Sequence, residues 1–241
     1  MENENKQKIT LLIPTFNEIV GMKEIMPRIK KEWYDQLIVV DGNSTDGTQD
    51  YVEEHGHLLV KQKSSGVRPA LDEAFPFIKG DIVITFTPDG NSIPELIPAL
   101  IAKMREGYDL VIVSRYLGNA VSEDDDFVSG KGNRLFTKLI NFFYDGNYTD
   151  TLVGFRGYRK NMITEIGLGS GPKYWFEKYA YTYTSWDFLS SLRCAKRKLK
   201  IGEIPGDEPS RIGGKAMVPK FKVASVCGIQ LLIEKIINVK K

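Results

Sequence analysis

Cysteine is scarce. Cys194 and Cys227 are the only two in 241 residues, too few for a disulfide scaffold and without metal-binding spacing, so both read as core thiols in a reducing compartment. Histidine is equally rare: His55 and His57 flank a helix end and a strand start, have no partner at ligand spacing, and suit surface or turn roles. No run of about 18 apolar residues occurs, which predicts no membrane span. The opening MENENKQK is polar and acidic where a signal peptide would be basic and then apolar, which predicts a cytoplasmic chain. Bulk charge is missing too. A net charge of +2 and a pI near 8.3 give no electrostatic case for nucleic acid, and positive residues thicken only locally, at Lys196-Arg197-Lys198-Lys200 and at the C-terminus. Neither GxxxxGK[ST] nor GxGxxG follows a strand, which removes the Walker and dinucleotide fingerprints.

What is present is an alternation of two periods. Apolar runs at Ile9 to Ile13, Gln36 to Val40, Leu58 to Lys61, Asp81 to Phe86 and Leu110 to Ser114 read as strands. Helical stretches at Asn17 to Trp33, Thr45 to His55, Ala70 to Ile78 and Pro94 to Glu106 separate them. This pattern predicts an α/β fold, an open and mostly parallel sheet flanked by helices. After Arg115 it loosens into a loop from Gly118 to Gly130 carrying the acidic run Glu123-Asp124-Asp125-Asp126, which reads as a lid or a solvated excursion. Beyond it come a helix from Asn133 to Tyr144, a short strand near Phe155 to Tyr158, a helix from Asp187 to Lys196 and a strand from Lys200 to Ile204. Val223 to Val239 suits an amphipathic helix, packed on the body or lying at a membrane surface. With no repeat and no low-complexity linker, the length predicts one domain over residues 1–241.

In open α/β sheets ligands gather at the carboxyl ends of the strands. The residues at those positions form a series: Pro14-Thr15-Phe16-Asn17-Glu18, then Asp41-Gly42-Asn43-Ser44, then Gly66-Val67-Arg68, then Asp89-Gly90-Asn91, then Ser114-Arg115-Tyr116. Each group alone is explained by caps and turns. Acidic side chains, arginines and glycines converging on one edge could hold a nucleoside diphosphate with a divalent cation, since hard metals take oxygen ligands and bridge phosphates.

LLIPTFNE, LIVVDGNSTDGT and TPDGN, in that order, resemble glycosyltransferase family 2, which has the GT-A fold. VSRY, GNRLFTKLINF, DTLVGFRGYRK and GEIPGDEPSRIGGKA are similar to its polyprenyl-phosphate branch, the dolichol-phosphate mannose synthase-like enzymes. The resemblance implies a nucleotide-sugar half at residues 9–116 and a smaller acceptor-side half at 117–241. Its donor would be a UDP- or GDP-sugar and its acceptor a polyprenyl phosphate or a glycan, met in peripheral contact with the inner face of the cell membrane. Pro14, Thr15, Glu18, Asp41 and Ser44 would line the nucleoside pocket, with Asp41 facing the base. Asp89 and Asn91 match the DxD motif that holds Mg2+ or Mn2+. Arg115, Arg156, Arg211 and Lys215 match basic positions that face donor and acceptor phosphates, and Arg68 is a further expected substrate-binding residue. Two positions depart from the family: Gly42 and Asn91 each stand where Asp is usual, and a neutral amide is the weaker ligand for a hard cation. A nucleotide-binding protein with impaired catalysis is therefore an alternative.

The QxxRW of the processive members is absent, which favours a single transfer. A hydroxyl acceptor would need a general base, and Asp187 in Ser185-Trp186-Asp187 lies where the family places one; its other reading is a helix N-terminal carboxylate. Tyr174, Trp175, Phe176, Tyr179, Tyr181, Tyr183 and Trp186 read either as a sugar or lipid platform or as core. Should the acceptor be a lipid, the C-terminal helix and the face of Leu135, Leu139, Phe142 and Phe143 are the expected bilayer contacts.

Overall fold

The computed structural model describes residues 7–125, 127–172, 175–213 and 220–236. Its centre is β1 (Ile9–Thr15), apolar almost throughout and buried on both faces, as a strand with helices above and below must be. β1 pairs in parallel with β2 (Gln36–Asp41) and, on its other side, with β4 (Ile82–Thr85); β3 (Leu58–Lys61) extends the sheet beyond β2. β5 (Leu110–Ser114) pairs in parallel with β7 (Ile201–Pro205), and β6 (Arg156–Arg159) runs antiparallel between β4 and β5. The order is β3-β2-β1-β4-β6-β5-β7, a mostly parallel sheet of seven strands.

Alternation sorts the strand residues onto two faces. Ile9, Leu11, Ile13, Leu37, Val39, Ile82 and Ile84 meet α1 (Ile19–Ile25), α2 (Thr48–Glu54) and α4 (Ile97–Arg105). Leu12, Ile38, Val40, Val83, Leu110 and Ile112 meet the other layer. That layer holds α3 (Val67–Ala74), α5 (Phe127–Tyr144), α6 (Lys160–Glu165), α7 (Trp175–Ala180), α8 (Trp186–Lys196) and α9 (Lys220–Ile236). Trp186 fixes the start of α8: fully buried, it donates its indole N–H to Asp72 at 2.7 Å and meets Phe75 and Tyr158 edge-on.

Several elements depart from the sequence reading. The helix expected from Asn17 to Trp33 is α1 followed by two 3-10 turns, 26–28 and 31–33. Pro27 has no N–H for the α ladder. Pro76 likewise ends α3 in a 3-10 turn over 75–77, and Pro94 opens α4 with one over 94–96. The loop expected to run to Gly130 ends sooner, because α5 begins at Phe127. The C-terminal helix begins at Lys220, and the last residues of its expected span lie outside the described ones.

Candidate active site

The carboxyl ends of six strands and the amino end of β6 share one edge, and the loops leaving it are bonded to one another. After β1 and β2 the two loops are knitted: Asn17 N–H donates to Ser44 Oγ at 2.8 Å, Thr45 N–H to Asn17 Oδ1 at 2.9 Å, and Glu18 N–H to Thr48 Oγ1 at 3.1 Å. Asp41 organises this pair. Fully buried, it accepts from Ser44 N–H (2.8 Å), Ser44 Oγ (2.5 Å), Gln49 Nε2 (2.6 Å) and Thr15 Oγ1 (3.1 Å). Both its oxygens are committed to the loop, so Thr15, Asp41 and Ser44 lie together as expected, with their polar atoms turned on one another. Pro14 sits beside them, half-buried, near the end of β1. Gly42 has a spatial reason: a Cβ there would stand 3.1 Å from Phe16 Cδ2, so a larger residue would press on that ring.

The turn after β4 carries the acidic and amide pair. Asp89 is buried; Oδ1 accepts Asn91 N–H at 3.1 Å, and Oδ2 is 2.8 Å from Arg211 Nη1. The same Nη1 is 3.4 Å from Glu18 Oε1, so one guanidinium joins the first, fourth and last of the loops. Glu18 Oε2 is buried with no hydrogen-bond partner. Its carboxyl is pushed up to about 7, by burial first and then by the nearby charges of Asp89 and Asp46, against the pull of Arg211. Asn91 Nδ2 donates to Asp124 Oδ2 at 2.9 Å. That bond fixes which end of the amide is oxygen, and Asn91 Oδ1 is left buried and unpartnered. Gly90 makes the turn at φ +91, where a Cβ would lie 2.6 Å from Ile212 Cγ1; Ile212 N–H donates to Asp89 O at 2.7 Å. Turn and loop fit only because Gly90 has no side chain.

Asp89, Asn91, Arg115 and Arg211 line one cleft of about 180 Å3 with Glu208, Phe155 and neighbouring residues. Arg115 is buried, and its guanidinium forks onto Asp150 at 2.7 and 3.1 Å and meets Glu208 at 3.1 Å. Those carboxylates hold its pKa above the ordinary arginine value against the opposing pull of burial. Asp150 in turn accepts Asn133 Nδ2 at 2.7 Å and the N–H groups of Leu152 and Val153. The acidic run folds over this cleft: Asp125 accepts from Tyr116 Oη and faces Arg115, Asp124 holds Asn91, and Ser122 bridges to Glu208. Asp150, Asn133 and Glu208 were not singled out in the sequence, and Asp124 only as one of the acidic run. Asp150 and Glu208 stand inside DTLVGFRGYRK and GEIPGDEPSRIGGKA, which was the available signal.

Other expected site residues lie elsewhere. Arg156, at the start of antiparallel β6, is fully buried: Nε donates to Val153 O at 2.6 Å, and Nη1 donates to Asp187 O at 2.8 Å and Ser191 Oγ at 2.7 Å, while Nη2 is unpaired. Arg68 is also fully buried, 3.3 Å from Glu177 and 3.6 Å from Asp72, with Tyr181 against its guanidinium. Asp187 opens α8, where Oδ1 accepts Phe188 N–H at 2.5 Å and the Ser185 hydroxyl. Burial pushes its carboxyl up to about 6 although Arg156 pulls the other way. The helix-terminal geometry and the raised pKa coexist in that one residue. Of the aromatic series, Trp186 is core, whereas Trp175 and Tyr179 are exposed; Tyr174 and Lys215 lie outside the described residues.

A cation would find hard oxygen donors here in Asp89 and the orphaned Asn91 Oδ1, with a guanidinium now resting on Asp89 as a positive stand-in. Among the described residues no group of three or more His, Cys, Asp or Glu surrounds a metal position, so the remaining ligands would come from a bound diphosphate.

A mostly parallel sheet with this Asp-x-Asn turn and a cleft of paired arginines and carboxylates at its carboxyl edge fits a glycosyltransferase of the GT-A fold. The chain belongs to glycosyl transferase family 2, which its residues 10–167 match. It is 26% identical over 201 residues to glycosyltransferase AglJ of Haloferax volcanii, covering 82% of this chain and 61% of that one. It is 29% identical over 168 residues to an undecaprenyl-phosphate 4-deoxy-4-formamido-L-arabinose transferase of an Enterobacter species, covering 65% of this chain and 50% of that one. The chain thus spans between half and three fifths of these two relatives. In structure it resembles glucosyl-3-phosphoglycerate synthase of Mycobacterium tuberculosis, solved with Mn2+ and UDP, at a TM-score of 0.61 and 19% identity, covering 96% of this chain and 81% of the other. That likeness is one of fold.

Proposed function

We propose that the protein is an inverting, cation-assisted transferase that moves one sugar from a UDP- or GDP-sugar to a polyprenyl phosphate. The observation that carries the reading is that Arg211 joins Asp89 to Glu18 beside the free oxygen of Asn91, in a cleft also lined by Arg115 and Glu208. The relative that acts on undecaprenyl phosphate supports the acceptor. In the reaction an oxygen of the acceptor phosphate forms a bond to the anomeric carbon. The bond from that carbon to the diphosphate breaks, and the nucleoside diphosphate leaves with the electron pair. Asp89 and Asn91 Oδ1 would hold Mg2+ or Mn2+, which when bound neutralises charge developing on the leaving group. Arg211 is the residue placed to take up that diphosphate charge once Asp89 is otherwise engaged. Asp150 and Glu208 hold the loops that shape the acceptor side through Arg115, and Arg156 holds the first turn of α8 from beneath. Since an acceptor phosphate is already anionic, no base is required.

Transfer to a saccharide hydroxyl is the second reading, and the raised pKa of Asp187 favours it. Such a base works above its pKa, so activity on a hydroxyl acceptor would fall as pH drops through about 6. The test offers UDP- and GDP-sugars with polyprenyl phosphate or a saccharide, with Mn2+ or Mg2+, and measures release of nucleoside diphosphate. Release that depends on polyprenyl phosphate, and survives Asp187→Asn within about tenfold, is expected. A loss of about a hundredfold or more in Asp187→Asn moves the assignment to a hydroxyl acceptor, and no release from any donor removes the proposal.

A further inference from the structure

Helix α9 is apolar on two sides. Its buried side chains include Cys227, Gln230, Leu231 and Glu234, while Phe221, Ile229, Leu232 and Ile236 are exposed. The last three, with Phe221 and Ser225, recur every three or four residues and so form one stripe along the helix. The inward polar side is held by buried ion pairs. Arg193 Nε donates to Glu234 at 2.9 Å, Lys196 Nζ lies 3.2 Å from Glu234, and Arg193 also pairs with Glu177, which meets Arg68 at 3.3 Å. A helix resting on a protein body in water normally turns a polar side outward. Here Val223, Cys227 and Leu231 pack into the core with Glu234 beside them, and a second apolar side faces out.

Its neighbours repeat the pattern. α7, packed on α9, exposes Trp175 (71%) and Tyr179 (79%) one turn apart, and α5, also packed on α9, exposes Phe142 (80%) and Leu135. The charge on these three helices is one-sided. Their only carboxylates are Glu177 and Glu234, both buried, whereas Lys131, Arg134, Lys138, Lys178, Lys222 and Lys235 are exposed. An apolar and aromatic face set among bases, whose helices expose no acid and whose nearest one in sequence, Asp145 just past α5, is paired with Lys198 at 2.9 Å, is complementary to a surface that is apolar beneath and anionic above. A second copy placed face to face would bring bases against bases.

We infer that the face built by α5, α7 and α9 docks on an anionic lipid bilayer, with α9 lying in the headgroup plane. Among the described residues no helix is long and apolar enough to cross a membrane, so the contact is lateral. Helix α5 of this face reaches the cleft from behind: its buried Asn133 bonds to Asp150, which holds the cleft residue Arg115, and Arg134 lies over the Tyr116 ring. Docking would therefore bring a lipid-borne acceptor to the cleft. The inference rests on the proposed function only for that purpose; lipid binding itself does not depend on it.

The test is flotation of the full chain with vesicles of phosphatidylcholine, with and without phosphatidylglycerol. Two surface variants are compared, Ile229→Ser/Leu232→Ser/Ile236→Ser and Lys222→Glu/Lys235→Glu, each checked for an unchanged melting temperature. Binding is expected only with phosphatidylglycerol, weakening with salt and falling by about tenfold or more in each variant. Release of nucleoside diphosphate with a short, water-soluble polyprenyl phosphate is expected to be unaltered by either variant. Absence of vesicle binding by the wild-type chain overturns the inference, and a wild-type dimer dissociated by these variants assigns the face to a second copy. Vesicle binding unchanged in both variants overturns it as well. Intact vesicle binding with no sugar transfer counts against the proposed function alone.

Discussion

Arg211 holds the position of most consequence among single residues. With Nη1 at 2.8 Å from Asp89 and 3.4 Å from Glu18, its positive charge competes with any cation for the same carboxylate oxygen. Arg211→Ala is therefore expected to bind Mn2+ more tightly in the absence of donor, read by the electron paramagnetic resonance signal of free Mn2+. The same variant should release nucleoside diphosphate about 10²–10³-fold more slowly, the usual cost of a lost charge-stabilising donor. Weaker Mn2+ binding in the variant would mean that the guanidinium does not compete there. The place of Asp89 and Asn91 at the sheet edge was legible from the strand-end series, whereas Arg211 entered only through the resemblance of GEIPGDEPSRIGGKA. What Asn91 does was not legible. Its amide is oriented by Asp124, from a loop whose position no periodicity encodes. The three side chains with inward-turned charged groups, Asp41, Arg68 and Arg156, show the same limit. Residue type and position along a strand were readable, but the direction of the charged atoms depends on partners brought in from α2, α7 and α8.

At the scale of elements, α9 is anchored by charge as well as by its core-packed Cys227 and Leu231. Removing Glu234 leaves Lys196 and Arg193 short of a buried carboxylate, and losing one member of such a buried set costs about 3–5 kcal/mol. Glu234→Ala should lower the urea midpoint accordingly without changing its slope, whereas an exposed control such as Ile229→Ser should leave the midpoint nearly unmoved. The sequence announced an amphipathic helix in this region but not which side faces in, because the ions that draw Glu234 inward come from α8. Prolines account for most boundary differences elsewhere. Pro27, Pro76 and Pro94 each convert an expected α turn into a 3-10 turn, an effect that apolar spacing alone does not reveal.

Over the whole molecule, the sheet type was legible and its order was not. Continuous apolar strands separated by helices imply a parallel, doubly covered sheet. No pattern within RGYR says that β6 enters against the grain between β4 and β5. That insertion places residues from both halves of the chain in one hydrogen-bonded sheet, so we expect a single unfolding transition in scanning calorimetry, with van't Hoff and calorimetric enthalpies in agreement. Two resolved transitions would divide the halves into separate domains. The contact of Gly90 with Ile212 has a consequence at this scale. The turn after β4, the Arg211 loop, the acidic strap over the cleft and the Arg115 loop are connected in series, through Ile212, Glu208 and Ser122. Linked in this way they would move as a gear train rather than as four independent fingers, and a ligand that turned one of them at Asp89 would be felt as far away as Tyr116.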